Sequence, residues 1–127
     1  MPTKISDIRA AIIAGDAPVW VRDVPFGETG FTVDLEIRSL GSRAAHHARD
    51  EALADDKTHA EALDAMLGAT ITGWSFEADE GGPLPCTPEA VAEWLADADV
   101  GAEFRRAAVR AASQVKAGKL VVADGVA

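Results

Sequence analysis

The 127-residue sequence has no tyrosine, a single cysteine, three histidines and no long apolar run. Each shortage excludes something. Cys86 alone makes neither an internal disulfide nor a cysteine-built zinc site, and such sparing use of cysteine fits a reducing cytoplasm. Without a run of about 18 apolar residues, a membrane span is excluded. The opening Met1-Pro2-Thr3-Lys4-Ile5-Ser6-Asp7 is expected to lead into a short charged helix and not into a secretory core. Cations are scarce as well: 12 Lys and Arg against 21 Asp and Glu give a formal net charge of −9, the wrong sign for a nucleic-acid binder that tracks phosphates. What is present, 48% hydrophobic and 26% charged, is the balance of a chain with one modest core.

The charge is unevenly placed. Residues 42–99 carry three basic and thirteen acidic groups, whereas residues 100–127 carry five basic and two acidic. The ordinary reading is two solvated faces; the alternatives are pairing within the fold, between copies or against a partner.

One domain is expected over 1–127, with an α+β architecture: a small antiparallel sheet packed against about five helices, mostly helical toward the C-terminus. Ile5, Ile8 and Ile12 share one face of a helix over 1–15, with Thr3 as N-cap and Gly15 as its left-handed stop. A helix of about three turns does not persist alone in water, so this face is expected to dock on a core. Phe31, Val33, Leu35 and Ile37 alternate with polar residues, the pattern of a half-buried strand. With Val19–Val24 and the Gly27-Glu28-Thr29-Gly30 loop they make a hairpin over 18–38, its first strand placed at an edge by Pro18 and Pro25.

Residues 42–68 are helical in composition, with Ala45, Ala48 and Ala52 as one stripe and Leu63, Met66 and Leu67 as another. The capping-box form Thr58-His59-Ala60-Glu61 favours two helices over one. Residues 70–77 read as a third strand, and Glu80–Pro85 as a turn-rich connector. Two helices follow over 87–117. The first has Thr87 as N-cap, Pro88 at its first position and Val91, Trp94, Leu95 and Ala98 as its inner face. The second is capped by Asp97 or Asp99, lined by Phe104, Ala108, Ala111 and Val115, and ended by Gly118, with Lys116 and Lys119 at the negative end of its dipole. Residues 118–127 read as a tail or as a short extra strand at Leu120-Val121-Val122.

Chemistry is thin. His46 and His47 each have a carboxylate at i+4, Asp50 and Glu51, the form of solvated helical ion pairs. A metal reading would use His46, Asp50 and His59, but adjacent histidines point about 100° apart on a helix and do not serve one ion together. Cys86 has no neighbouring base, and Glu77, Asp79 and Glu80 lack the spacing of a calcium loop. No phosphate-binding glycine loop, nucleophile elbow or His-Glu-x-x-His is present. No catalytic, cofactor or metal residues are assigned, and an enzyme is not expected. Features that suit binding are the isoleucine face, Trp74 beside Gly73, where glycine lets another backbone approach, and Arg105, Arg106 and Arg110 on the wet side of the last helix.

The run Ile71-Thr72-Gly73-Trp74-Ser75-Phe76, the acidic turn Glu77–Gly82 and Pro83-Leu84-Pro85-Cys86-Thr87-Pro88-Glu89-Ala90-Val91 resemble tail assembly chaperones of long-tailed bacteriophages. That family joins a hydrophobic-x-Gly-Trp strand, an Asp-Gly-x-Pro-hydrophobic-Pro turn and a Ser/Thr-Pro-Glu helix start; here a Gly81-Gly82 pair replaces the single glycine. The hairpin from Val19 to Ile37, followed by Arg38-Ser39-Leu40 and a charged helix, is similar to the family's N-terminal half, so that the resemblance covers residues 17–117. It implies a non-enzymatic protein of the host cytoplasm, absent from the mature virion. Its partner would be the tape measure protein, which it keeps soluble in many copies as a homo-oligomer. A longer frameshifted form would recruit tail tube subunits, and the sequence through Ala127 is expected to correspond to the short form. The competing expectation is a structural virion component such as a head–tail connector or tail tube accessory protein. Neither reading involves nucleic acid or membrane.

Overall fold

A proline decides where the first helix ends. In the computed structural model, which describes residues 3–116 and 119–120, helix α1 spans Ile5–Asp16 and stops at Ala17. Ala17 precedes Pro18 and is therefore pushed to extended backbone, φ −72° and ψ 143°. Two expectations are corrected by this. Gly15 does not end α1 but lies inside it, its one buried residue, and Thr3 is not the cap: Lys4 holds that position without a side-chain bond. The third correction is larger. The isoleucine face does not dock on the core; Ile5, Ile8, Ile12 and Ile13 are 72%, 43%, 48% and 55% exposed. The helix is held by its far end, where Arg43 donates to the Asp16 carboxylate from Nε at 2.6 Å and from its backbone N–H at 3.1 Å, and Arg38 Nε donates to the Asp16 carbonyl at 3.1 Å.

The sheet is antiparallel, in the order β1 (Val19–Pro25), β2 (Thr32–Ile37), β3 (Ile71–Trp74). As expected, β1 lies at an edge and the turn after it places Gly27 and Gly30 at φ 64° and 84°. Register slips between Val21 and Val24, where Asp23 takes φ 54°. The Asp34 carboxylate fastens this bulge, accepting the Asp23 N–H at 2.9 Å and Arg22 Nη1 at 3.2 Å. Val21, Leu35 and Trp74 form one cross-strand row facing the core, and Trp20, Glu36 and Gly73 the next row, facing outward. Phe31 departs from the alternation. It belongs to the turn, where its carbonyl accepts the Phe26 N–H at 3.0 Å, and its ring is 76% exposed.

Helices α2 (Arg43–Ala54) and α3 (His59–Thr70) form a hairpin. Ser42 caps the first, and Thr58 and Glu61 complete a capping box on the second, each accepting the other's backbone N–H. Helix α4 (Pro88–Leu95) starts on Thr87, which accepts the Ala90 N–H. It closes at Leu95, so Ala98 lies in the following turn and is exposed, not on an inner face. That turn is built by Asp97, whose carboxylate accepts the Asp99 and Val100 N–H groups at 2.8 and 3.0 Å and is held below the usual carboxylate range by them.

Helix α5 (Gly101–Ser113) lays Phe104, Ala107, Ala108 and Ala111 onto β1 and β2, small side chains allowing a close approach. It ends at Gln114, earlier than expected; Val115 and Lys116 form strand β4, paired with β5 (Lys119–Leu120). The two lysines thus lie on a ribbon, not on a helix end, while Gly118, Val121 and Val122 fall outside the described residues. The core joins Val24, Val33, Leu35 and Ile37 of the hairpin to Leu67, Ile71, Val91, Leu95 and Phe104.

Candidate functional site

Apolar atoms line several depressions among the described residues, and two of these suit binding. The first is the α1 face, where Ile5, Ile8, Ile12 and Ile13 line a shallow depression with Arg9 and Arg43. Sequence spacing identifies the first three of these; Ile13 completes the stripe at i+8.

The second is a groove between the hairpin turn and the last two helices, about 370 Å³ in volume. Its floor is aromatic. Phe26 follows β1, Phe76 follows β3 and Phe104 comes from α5, with ring centroids 5.9 Å apart for Phe26 and Phe76 and 6.0 Å for Phe76 and Phe104. Trp94 of α4, Leu84 and Val100 complete the apolar lining. Composition and periodicity did not identify this site, because its rings come from four separate elements; the one local clue is that Phe26 and Phe76 each stand directly before a turn.

The mouth of the groove is acidic. Glu77, Asp79 and Glu80 line it, and among the described residues none of them makes an ion pair. Their loop is a tight hairpin: Ala78 N–H donates to the Gly82 carbonyl at 2.9 Å, Gly81 N–H to Ala78 at 2.8 Å and Leu84 N–H to Phe76 at 3.0 Å. Gly81 and Gly82 stand at φ 98° and 81°, a conformation in which side-chain-bearing residues are strained, so the doubled glycine has a backbone reason.

Trp74 belongs to this site from below. It is 8% exposed, and its Nε1 donates to the Leu84 carbonyl at 2.7 Å, so it fixes the acidic loop instead of facing a partner. The close approach that Gly73 permits is made by a side chain, not a backbone: a Cβ there would lie 3.2 Å from Trp20 Cη2 and 3.1 Å from Glu36. Arg22 stacks 5.2 Å above the Trp20 ring on the same outer sheet face.

The three arginines do not act as one patch. Arg105 is half-buried and bound to Asp64, Arg106 is exposed and pairs with Glu103 at 2.8 Å, and Arg110 is exposed without an ion pair among the described residues. Nor are the arginines beside the isoleucines. Helix α1 enters β1 at Val19, whereas the Glu103 side chain packs against Gly27, beyond the other end of that strand.

Among the described residues no group of three or more His, Cys, Asp or Glu side chains is placed to hold a metal ion. His47 Nε2 lies 3.1 Å from Glu51 as an exposed pair, and His46 shares no such contact with Asp50, whose carboxylate pairs with Arg49. Cys86 is half-buried; burial, and then the charge of Glu36, push its thiol pKa up, opposite to nucleophile activation. No described helix is long and apolar enough to cross a membrane.

Fold and surfaces together define a small α+β domain with an unpartnered apolar helix and an acid-rimmed aromatic groove. No protein-family model matches the chain, and no curated protein or solved structure is significantly similar to it.

Proposed function

We propose that this protein is a non-enzymatic tail assembly chaperone of a long-tailed bacteriophage or prophage, which binds the tape measure protein and keeps it soluble in the host cytoplasm during tail assembly. The observation that carries the reading is the α1 face: four isoleucines on one short helix stay exposed while the core closes without them. A stripe of apolar residues at helical spacing suits lateral pairing with another amphipathic helix, and the resemblance implies a long, helical client. Further support comes from the strand, turn and helix start on which the resemblance rests: β3, the Glu77–Pro83 hairpin and the Thr87-capped α4 follow one another in that order. The net charge of −9 keeps an assembly of many copies apart from one another except where they bind.

The test is whether a neighbouring reading frame encodes a long, helix-rich protein, followed by co-expression of that client with this chain. The expected result is that the client appears in the soluble fraction with the wild-type chain and moves to the pellet with the I5K/I8K/I12K/I13K variant. Equal solubility with that variant, once circular dichroism shows it folded, overturns the assignment to α1. Recovery of the chain in stoichiometric amounts from purified particles overturns the chaperone reading in favour of a virion component.

A further inference from the structure

The aromatic groove has features that the α1 face lacks. Its floor is apolar, built from Phe26, Phe76 and Phe104, and its volume of about 370 Å³ accommodates a bulky side chain. Its charge is confined to the mouth and is of one sign, from Glu77, Asp79 and Glu80. Those carboxylates stand on a loop already ordered by three backbone hydrogen bonds and by Trp74, so an incoming group meets them without having to order the loop. A central apolar pocket ringed by polar groups is how protein interfaces seat a hot-spot side chain.

We propose that this groove is a docking site for a segment of a partner protein that inserts one leucine, methionine or aromatic side chain, with lysine or arginine within a helical turn of it. The apolar side chain covers Phe26 and Phe76, which rest on the buried Phe104 ring, and the cations meet the Glu77, Asp79 and Glu80 carboxylates at the rim. Charge complementarity selects this occupant, because an acidic segment would set like charges against Glu77, Asp79 and Glu80. The same rim disfavours a second copy of a chain whose net charge is −9. The proposal deepens the chaperone reading by giving one client contact a chemistry. Its test uses synthetic peptides, so its failure leaves the co-expression result standing.

The probes are fluorescein-labelled amphipathic peptides in three versions, leucine with lysine, alanine with the same lysines, and leucine with glutamate, titrated by anisotropy. The leucine–lysine peptide is expected to bind roughly tenfold or more tightly than either of the others. The E77Q/D79N/E80Q variant should lose about tenfold, as three exposed charge pairs of modest strength allow. The A78W variant, which keeps all three carboxylates and places an indole at the lining, should erase the preference for leucine over alanine. Equal binding of the leucine–lysine and alanine–lysine peptides would mean adhesion to an acidic surface only and overturns the proposal. So does an unchanged leucine preference in A78W, or self-association of the wild-type chain in sedimentation that the triple variant abolishes.

Discussion

Arg105 grips Asp64 with two hydrogen bonds, from Nε at 2.7 Å and from Nη2 at 3.0 Å, and the same Nη2 donates to the Leu95 carbonyl at 3.2 Å. One guanidinium thereby ties α5 to α3 and to the end of α4. It also answers the uneven charge of the sequence: part of the basic end is paired with the acidic middle inside the fold. Both side chains are 34% exposed, so the fork geometry counts for more than charge alone, and the usual value of such a pair is reduced by solvent screening. R105A is expected to lower unfolding stability by about 1–2 kcal/mol, and R105K by nearly as much, because lysine does not reproduce the fork. Urea denaturation checks both; R106A, at an exposed pair, should change stability by less than about 0.5 kcal/mol.

Asp34 makes stability depend on acid. The Asp23 amide, and secondarily Arg22, hold its carboxyl below the ordinary value of 3.8. A depressed folded-state pKa gives a contribution that is full above the unfolded value and is lost as pH falls through the folded one. The melting temperature of the wild type should therefore exceed that of D34N at pH 6. The difference should shrink as pH falls below 3.8, with the bulge at Asp23 losing its clamp. A gap that stays constant from pH 6 to acid would show that the carboxylate's charge has no part in it.

Gly101 opens α5 against the end of α4, and a Cβ there would lie 2.4 Å from the Leu95 carbonyl oxygen, a backbone atom that cannot swing aside. G101A, normally a stabilising change inside a helix, is expected to cost about 1–3 kcal/mol here. G68A, whose Cβ meets nothing within 4 Å, is the control and should be neutral or slightly stabilising. Thermal unfolding of the two variants separates steric cost from helix propensity.

Cys86 should be slow toward alkylation. Burial and the Glu36 charge raise its pKa, so little thiolate is present near neutral pH. Iodoacetamide at pH 7.5 is expected to modify it more slowly than it modifies free cysteine, and E36Q should speed the reaction. A rate equal to that of free cysteine would contradict the placement of this side chain.

Local chemistry was legible in the sequence wherever one residue type governs one backbone choice. The Thr58–Glu61 box, the Thr87-Pro88 helix start and the edge position of β1 all follow from such rules; the third strand expected over 70–77 is present but spans only Ile71–Trp74, because Thr70 still belongs to α3. Misreadings arose where a pattern had to predict its own neighbour. The Ile5–Ile12 periodicity correctly marks a helix, yet periodicity does not say whether a face is covered, and this one is not. Phe31 continues an alternation that the turn has already interrupted. The groove was invisible because Phe26, Phe76, Trp94 and Phe104 lie far apart in the chain and converge only when the hairpin meets α4 and α5. Trp74, which Gly73 beside it marks for binding, is buried, and its indole holds the acidic loop.

The bend at Asp23 bears on how crowded copies behave. The outermost strand is kinked where its register slips, and Pro25 offers no amide near its end. At the opposite margin β3 is only four residues long. Neither margin of this three-stranded sheet therefore offers a long, straight row of amides on which a foreign strand could extend it, a guard against fibril growth when molecules crowd together.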